Sequence, residues 1–286
     1  MNAFLTCFVI FSYDVCDSLL YKGVENGLQD LYEKIDLAVE KRAKNLPNIK
    51  PRLVAVSKTK PKELIFAAYN YGQRHFGENY VQELVDKSND PEVLEKCKDI
   101  KWHFIGNLQS NKIKKIVSVP GIFVVETVDT QKLATLLNNA WSKEEKPDKG
   151  KLNVMVQINT SGEEAKNGAE PSEAVPLAKH VVENCPSLHL MGLMTIGKFD
   201  HDLTKGPNPD FQVLIRCRED VCQALNKKPE DLELSMGMSN DFEHAIEVGS
   251  TSVRVGSSIF GAREFKKPAT KPEDGVTEQL AQTNIS

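Results

Sequence analysis

The stretch PRLVAVSKTKP, residues 51–61, decides how this chain folds. Its apolar, β-branched beginning is typical of a parallel strand that is buried on both faces. We predict a strand over Arg52–Thr59 that stops before Pro61, because proline has no N–H to extend the ladder. Such a strand carries Lys58 out of the apolar interior at its C-terminal end.

Lys58 is the first candidate functional residue. Burial beside apolar side chains lowers the pKa of an ammonium group, because it disfavours the charged form. An amine that loses its proton readily can form a Schiff base with an aldehyde or a ketone. The segment alone is equally compatible with a surface lysine that ends a strand.

Strand-like segments alternate with helical ones along most of the chain. Eight segments have strand character, and each of the first seven is followed by a helical segment. After Arg52–Thr59 they are His75–Gly77, Lys101–Gly106, Ile122–Val128, Leu152–Thr160, Leu188–Gly197, Glu233–Ser239 and Ser252–Gly261. Eight such units in about 250 residues favour a single (β/α)8 TIM barrel over an open doubly wound sheet. The first strand is not followed by Gly-x-Gly-x-x-Gly, which further weakens a Rossmann interpretation.

The ends of the chain differ from this alternating part. We expect the barrel over residues 24–265, a variable, disordered leader over 1–23 and a disordered tail over 266–286. A helix over Val24–Lys44 precedes the first strand, because Leu28 and Leu31 begin an apolar series at helical spacing. The apolar run Ala3–Tyr13 lacks the basic residues that open a signal peptide and is too short to span a bilayer.

Charge and cysteine content exclude other classes. The formal charge is -4, and no basic run is interleaved with aromatic residues, so we expect no nucleic-acid partner. The six cysteines form no Cys-x-x-Cys pair and have no histidine at a spacing that suggests zinc. We interpret them as reduced, mostly buried thiols, which indicates the cytoplasm or another reducing compartment.

The predicted strand ends supply the candidate site, because ligands bind at the C-terminal face of a TIM barrel. The last two strands end in loops suited to a phosphate, which binds backbone N–H groups and helix N-termini. Ser239 opens a predicted helix N-cap, Gly256 permits close backbone approach, Ser257 offers a hydroxyl and Arg254 a forked cation. A Schiff-base lysine together with an anion site indicates a ligand that carries an aldehyde and a phosphate. Pyridoxal phosphate and the sugar phosphates of Schiff-base aldolases both meet this description.

Seven stretches give the sequence a specific resemblance to a known family. They are VAVSKTKP (54–61), FGENYVQE (76–83), KWHFIGNLQSNK (101–112), VMVQINTSGEE (154–164), GLMTIG (192–197), PNPDF (207–211) and ELSMGMSNDFEHAIEVGSTSVRVGSSIFG (233–261). In these stretches the chain resembles the pyridoxal phosphate homeostasis protein family, also called the proline synthase co-transcribed protein family. The resemblance runs in order through the predicted barrel and does not include the leader.

The resemblance implies a single-domain barrel similar to the N-terminal domain of alanine racemase. It implies pyridoxal 5'-phosphate held as an internal aldimine on Lys58, with the phosphate surrounded by Ser239, Arg254, Gly256 and Ser257. Four further residues at matching strand ends are expected to line the ring pocket: Asn79, His103, Asn159 and Thr195. For His103 a second interpretation stays open, since a histidine on an apolar strand is often a satisfied core residue.

The function that the resemblance implies is intracellular homeostasis of pyridoxal phosphate (vitamin B6) by a carrier that is not an enzyme. Racemisation needs a second base on the other face of the cofactor, and we expect no domain here that supplies one. The expected partners are the cofactor and apoenzymes that accept it, with the protein a monomer or weak dimer in the cytoplasm and also in mitochondria. Two alternatives stay open: a pyridoxal phosphate-dependent racemase or decarboxylase, and a cofactor-free Schiff-base aldolase.

Overall fold

Eight parallel strands form a closed barrel. The computed structural model describes residues 3–46, 49–146, 150–163, 166–198 and 201–262, with the backbone alone over 3–20. Within these residues the strands follow one another around the barrel in sequence order. The barrel closes where β1 pairs with β8, from Arg52 opposite Ser252 to Ala55 opposite Val255. The predicted (β/α)8 fold is confirmed. The strands are β1 Arg52–Val56, β2 His75–Glu78, β3 Lys101–Phe104, β4 Ile122–Val128, β5 Leu152–Gln157, β6 Leu188–Met194, β7 Glu233–Ser235 and β8 Ser252–Val255.

Helices connect the strands and cover the outside of the barrel. Local caps fix where several of them begin: the Asp90 side chain accepts the N–H of Glu92, and the Thr130 hydroxyl accepts that of Leu133. The helices are α1 Ala3–Glu40, α2 Lys62–Asn70, α3 Val81–Ser88, α4 Pro91–Lys96, α5 Ile113–Val117, α6 Gln131–Trp141, α7 Ala174–Asn184, α8 Pro209–Leu225, α9 Phe242–Glu247 and α10 Ser257–Phe260. Single 3-10 turns lie at Ser110–Lys112, Pro171–Glu173, Leu203–Lys205 and Pro229–Asp231.

Several strands end earlier than the sequence predicts. β1 ends at Val56 and not at Thr59, because residues 57–60 form a turn: the N–H of Lys60 donates to the carbonyl oxygen of Ser57 at 3.0 Å, and Thr59 has a left-handed φ of 61°. β7 ends at Ser235 and not at Ser239, since Gly237 has a φ of 98°. The residues that leave the sheet in this way form the loops above the barrel.

The first helix departs furthest from the prediction. Its backbone is helical from Ala3 to Glu40, whereas we predicted a helix over Val24–Lys44. The first glycine of the chain is Gly23 and its first proline comes later still, so nothing before Gly23 breaks a helix. The division into leader, barrel and tail stays a prediction, and the tail over 266–286 lies outside the described residues.

The helix α1 packs on the side of the barrel that carries β1 and β8. Its predicted apolar face is confirmed, since Leu28 and Leu31 are fully buried. It contacts α2, α9 and α10. Gly27 permits the closest approach, because a Cβ atom there would lie 2.6 Å from the carbonyl oxygen of Ser258. Packing of α1 therefore fixes α10, which lies at the mouth of the barrel.

Burial separates an outer apolar layer from a mixed interior. Large side chains between strands and helices, such as Trp102 and Phe104, are fully buried. A separate small apolar cluster is formed by Val124, Met155, Met191 and Met194.

The buried free thiols that we predicted are confirmed at Cys97, Cys185, Cys217 and Cys222. Across the described ranges, every helix is too short or too polar to cross a membrane.

Candidate functional site

A cavity of about 680 Å³ opens at the C-terminal ends of the strands. This volume is within the usual range for sites that bind small molecules. Its wall includes residues that follow β1, β2, β6, β7 and β8, as expected for a barrel site. Six of the nine residues predicted from the sequence lie in this wall: Lys58, Asn79, Ser239, Arg254, Gly256 and Ser257.

Lys58 lies in a turn directly after β1, and both of its neighbours are tethered. The Ser57 hydroxyl donates to Oε1 of Glu78 at 2.7 Å. The backbone N–H of Thr59 donates to Oε1 of Glu83 at 2.6 Å. These bonds hold the backbone on either side of Lys58, so the turn that aims its amine has a defined shape.

The side chain of Lys87 joins these tethers into one cluster, which we call the Lys87 clamp: Ser57, Glu78, Glu83 and Lys87. The Lys87 ammonium donates to the Ser57 carbonyl, to Oε1 of Glu78 and to Oε1 of Glu83, each at 2.7 Å. Burial raises the pKa of the Glu78 carboxyl, and the charge of Lys87 opposes that rise. Sequence reasoning missed Lys87, whose only signal is its i,i+4 spacing from Glu83.

Hydroxyl groups lie together at the ends of the last two strands. The Ser257 hydroxyl donates to the Ser239 hydroxyl at 3.1 Å. Gly256 lets this loop lie against the end of β1, since a Cβ atom there would be 3.0 Å from the carbonyl oxygen of Val56. Ser257 also opens α10, where the first N–H groups of a helix have no intrahelical acceptor. These groups suit an anion.

The predicted cap of α9 has a different structure. The helix begins at Phe242, directly after the predicted N-cap segment that Ser239 opens, but the Asp241 side chain makes no capping bond. The Asp241 carboxylate instead accepts the backbone N–H of Met238 at 2.6 Å and so closes the loop that carries Ser239. Burial raises the pKa of the Asp241 carboxyl.

Arg254 reaches the cavity from below. It is 4% exposed. Its guanidinium donates to the Ser235 hydroxyl and, at 2.7 Å, to the carbonyl oxygen of Thr195. Oε2 of Glu126 lies 3.9 Å from Nη1 of Arg254. The fork that we expected to read an anion is thus directed largely to the barrel interior.

Arg254 belongs to a continuous chain of hydrogen bonds in the barrel interior, which we call the floor network. Its members are the buried Arg254, Ser235, Glu126 and His103 and the half-buried His75. The Glu126 carboxylate accepts the Ser235 hydroxyl at 2.6 Å and bonds Nδ1 of His103 at 2.6 Å. Nε2 of His103 lies 2.8 Å from Nδ1 of His75. Burial alone would raise the pKa of Glu126, but its bonds and the nearby charges lower it on balance.

Three predicted pocket residues are not in the cavity wall. His103 is fully buried within the floor network, which agrees with the core interpretation that the sequence left open. Thr195 is buried, and its hydroxyl donates to the carbonyl oxygen of Ile158 at 3.0 Å. The Asn159 amide donates to the carbonyl oxygen of Glu163 at 3.1 Å and shapes the loop after β5. Their parts in ligand binding stay predictions.

The wall also contains titratable residues that sequence reasoning did not select. Lys166 donates to the carbonyl oxygen of Gly197 at 2.7 Å and pairs with Glu163 at 3.1 Å. His201 lies 2.9 Å from the carbonyl oxygen of Gly206, through Nε2. Both come from long loops after β5 and β6, and no strand-end pattern marks them.

One buried atom in the wall lacks a partner. Oδ1 of Asn79 is shielded from solvent and, within the described residues, accepts no hydrogen bond. An unsatisfied buried acceptor costs about 1–3 kcal/mol, so a donor on a ligand would be stabilised there. With the amine of Lys58 and the hydroxyls of Ser239 and Ser257, the cavity can hold a ligand with a carbonyl, a polar ring and an anion.

Comparison with known proteins identifies relatives over nearly the whole chain. Residues 35–264 match the family described as the N-terminal domain of alanine racemase. A Bos taurus protein named pyridoxal phosphate homeostasis protein is 53% identical over 264 residues, or 92% of this chain and 96% of the relative. Its namesake from Haemophilus influenzae is 41% identical over 250 residues, or 87% and 100%.

A solved structure agrees with these matches. PipY of Synechococcus elongatus, described as having pyridoxal phosphate (PLP) bound, is similar to this chain with a TM-score of 0.65 and 28% identity. The likeness covers 83% of this chain and 100% of that one.

Proposed function

Because the chain belongs to the pyridoxal phosphate homeostasis protein family, with the barrel of the alanine racemase N-terminal domain, we propose that it binds pyridoxal phosphate in the mouth cavity. The observation that carries the proposal is the shared wall of Lys58, Asn79 and the Ser239–Ser257 pair. A pyridoxal phosphate-bound relative supports it further.

We propose that the amine of Lys58 holds the ligand as a Schiff base. Pyridoxal phosphate supplies an aldehyde that condenses reversibly with an amine and releases water. The Lys87 clamp holds the residues on both sides of Lys58, so the turn keeps its shape with or without a ligand on the amine. This restraint reduces the conformational entropy that binding would otherwise cost.

We assign the anionic end of the ligand to Ser239, Gly256 and Ser257. Two hydroxyls and the first turn of α10 provide donors there, and Gly256 keeps the backbone close. Arg254 contributes positive charge from beneath while its donors stay on Ser235 and Thr195. Asn79 offers its unsatisfied Oδ1 to a donor on the ligand.

The proposed role is to hold and release the cofactor without robust catalysis. Proton transfer to a bound amino acid requires positioned acids and bases. Several titratable groups of the wall are engaged by the chain itself: Lys60 donates to the Ala262 carbonyl, Lys166 to that of Gly197, and Asp241 accepts the Met238 N–H. Such engagement favours a carrier over a racemase or decarboxylase.

Exchange of the Cα proton separates the carrier from an enzyme. Holo-protein is incubated in D2O with alanine, serine and other amino acids, and deuterium at Cα is measured by mass spectrometry. We expect incorporation at the level of free pyridoxal phosphate, with Lys58→Ala as the control. Multiple turnovers that depend on Lys58 would establish the enzyme instead.

We further propose that the protein passes its cofactor to apoenzymes and works as a monomer or weak dimer in the cytoplasm, and in mitochondria as well. Buried free thiols are typical of such reducing compartments. Transfer to an apoenzyme, followed by recovery of that enzyme's activity, tests the first part. Cell fractionation tests the proposed location in the cytoplasm and in mitochondria.

A further inference from the structure

A second cavity, of about 340 Å³, lies at the opposite end of the barrel. Arg52 at the start of β1 and Glu233 at the start of β7 are in its wall, with Thr251 just before β8. None of its lining residues belongs to the mouth cavity. It is therefore a separate compartment, which we call the basal cavity.

Arg218 of α8 lines the basal cavity and is buried with one of its N–H groups unpaired. It is 5% exposed, and its Nε atom has no hydrogen-bond partner. Within the described residues, no carboxylate lies at ion-pair distance from its guanidinium. Arginine stays charged in proteins, so a buried guanidinium N–H group without an acceptor is unfavourable. A ligand that accepts hydrogen bonds from this group would remove the penalty.

The charged residues near Arg218 do not supply an acceptor for its guanidinium. Glu233 is engaged by Arg52, whose Nη2 donates to Oε1 at 2.9 Å. Arg42 adds a further cation and donates to the carbonyl oxygens of Ile246 and Ser250. Two carboxylates, Glu219 on the same helix and the exposed Glu230 in the wall, attract Arg218 without forming an ion pair with it. The cavity is thus predominantly positive around one buried guanidinium.

We propose that the basal cavity binds a small oxyanion, with Arg218 as its principal ligand. A phosphate or a short carboxylate has the matching chemistry, because guanidinium and oxyanion form charge-assisted, bidentate hydrogen bonds. The volume admits a small anion with a few waters and is too small for a folded partner. The site is independent of the cofactor proposal, since the two cavities have no common residue.

A crystallographic experiment tests this directly. Crystals of the full chain loaded with pyridoxal phosphate, so that the mouth cavity is filled, are soaked in selenate, and anomalous difference maps are calculated. We expect a selenium peak in the basal cavity within hydrogen-bond distance of Nε of Arg218. Ordered water alone at that atom, with the cavity open to solvent, would overturn the proposal.

Anion binding in solution can be compared between Arg218 variants and a control variant. Inorganic phosphate and acetate are titrated separately into the same loaded protein by calorimetry, which distinguishes the two ligand types. Arg218→Gln and Arg218→Lys should each weaken binding at least tenfold, whereas Arg216→Gln, on the exposed face of the same helix, should not change it. Equal affinity in all variants would contradict the assignment. Should Arg218→Gln fail to fold, Arg218→Lys and the selenate map decide.

Discussion

At the mouth of the barrel, polar groups face a cavity, whereas on the floor the same kinds of group bond to one another. Asn79 at the mouth keeps an unsatisfied acceptor. On the floor, Glu126 uses both of its carboxylate oxygens within the protein. The difference indicates that the mouth is arranged for a ligand and that the floor network supports the fold beneath it.

The largest expected effect is the loss of a floor charge. Glu126→Gln removes the anion that faces Arg254 and His103 in a fully buried setting. Breaking a buried pair by removal of one partner costs about 3–5 kcal/mol, so the free energy of unfolding should fall by that order. Urea denaturation measures it.

The control for this change is Asp30→Asn, because Asp30 pairs with Lys34 at 2.8 Å on an exposed helix surface. Its free energy of unfolding should hardly change, since exposed ion pairs contribute little. Equal destabilisation by the two substitutions would remove the distinction between the buried floor and an ordinary surface pair.

The floor network also predicts a dependence on pH. Burial, followed by the charges of His103, Arg52 and Lys101, lowers the pKa of His75 from 6.5 to about 2. Between these values the unfolded chain binds a proton that the folded chain does not, so stability is lost as the pH falls below 6.5. One such group contributes at most about 1.4 kcal/mol per pH unit.

Urea denaturation at pH 7, 6 and 5 compares wild type with His75→Gln. The substitution should flatten the decline in unfolding free energy over this range. His189→Gln is the comparison, because the pKa of His189 is lowered less by its partial burial. Parallel curves for wild type and His75→Gln would show that His75 does not titrate as described.

The smallest expected effect concerns the anion contacts at the mouth. Ser257→Ala removes one hydroxyl, and a hydrogen bond contributes about 0.5–1.5 kcal/mol, or up to about tenfold in affinity. Binding of pyridoxal phosphate should weaken while binding of pyridoxal does not. Arg254→Gln should weaken both ligands, because it disturbs the floor beneath them.

Fluorescence or absorbance titration of the two ligands measures these affinities. A selective loss of pyridoxal phosphate binding in Arg254→Gln, with none in Ser257→Ala, would reverse the assignment and place the anion on Arg254.

The fold was predictable because the strand and helix periodicity repeats along the chain, and six of the nine residues predicted at the strand ends lie in the cavity wall. The sequence could not predict features that depend on contacts between residues far apart in the chain. His103 has the sequence pattern of a strand-end ligand, but its bond to Glu126 of the neighbouring strand keeps it in the core. Lys166 comes from a loop without periodicity, so no pattern places it in the wall. The left-handed φ of Thr59 in the turn after β1 has no glycine to signal it in the sequence.

The most direct test of the central claim is to locate the covalent attachment. The yellow complex with pyridoxal phosphate is reduced with borohydride, digested and mapped by mass spectrometry. We predict that the modified residue is Lys58 and that Lys58→Ala abolishes the label. Label on Lys60, Lys62 or Lys166 in the wild-type protein would contradict the account.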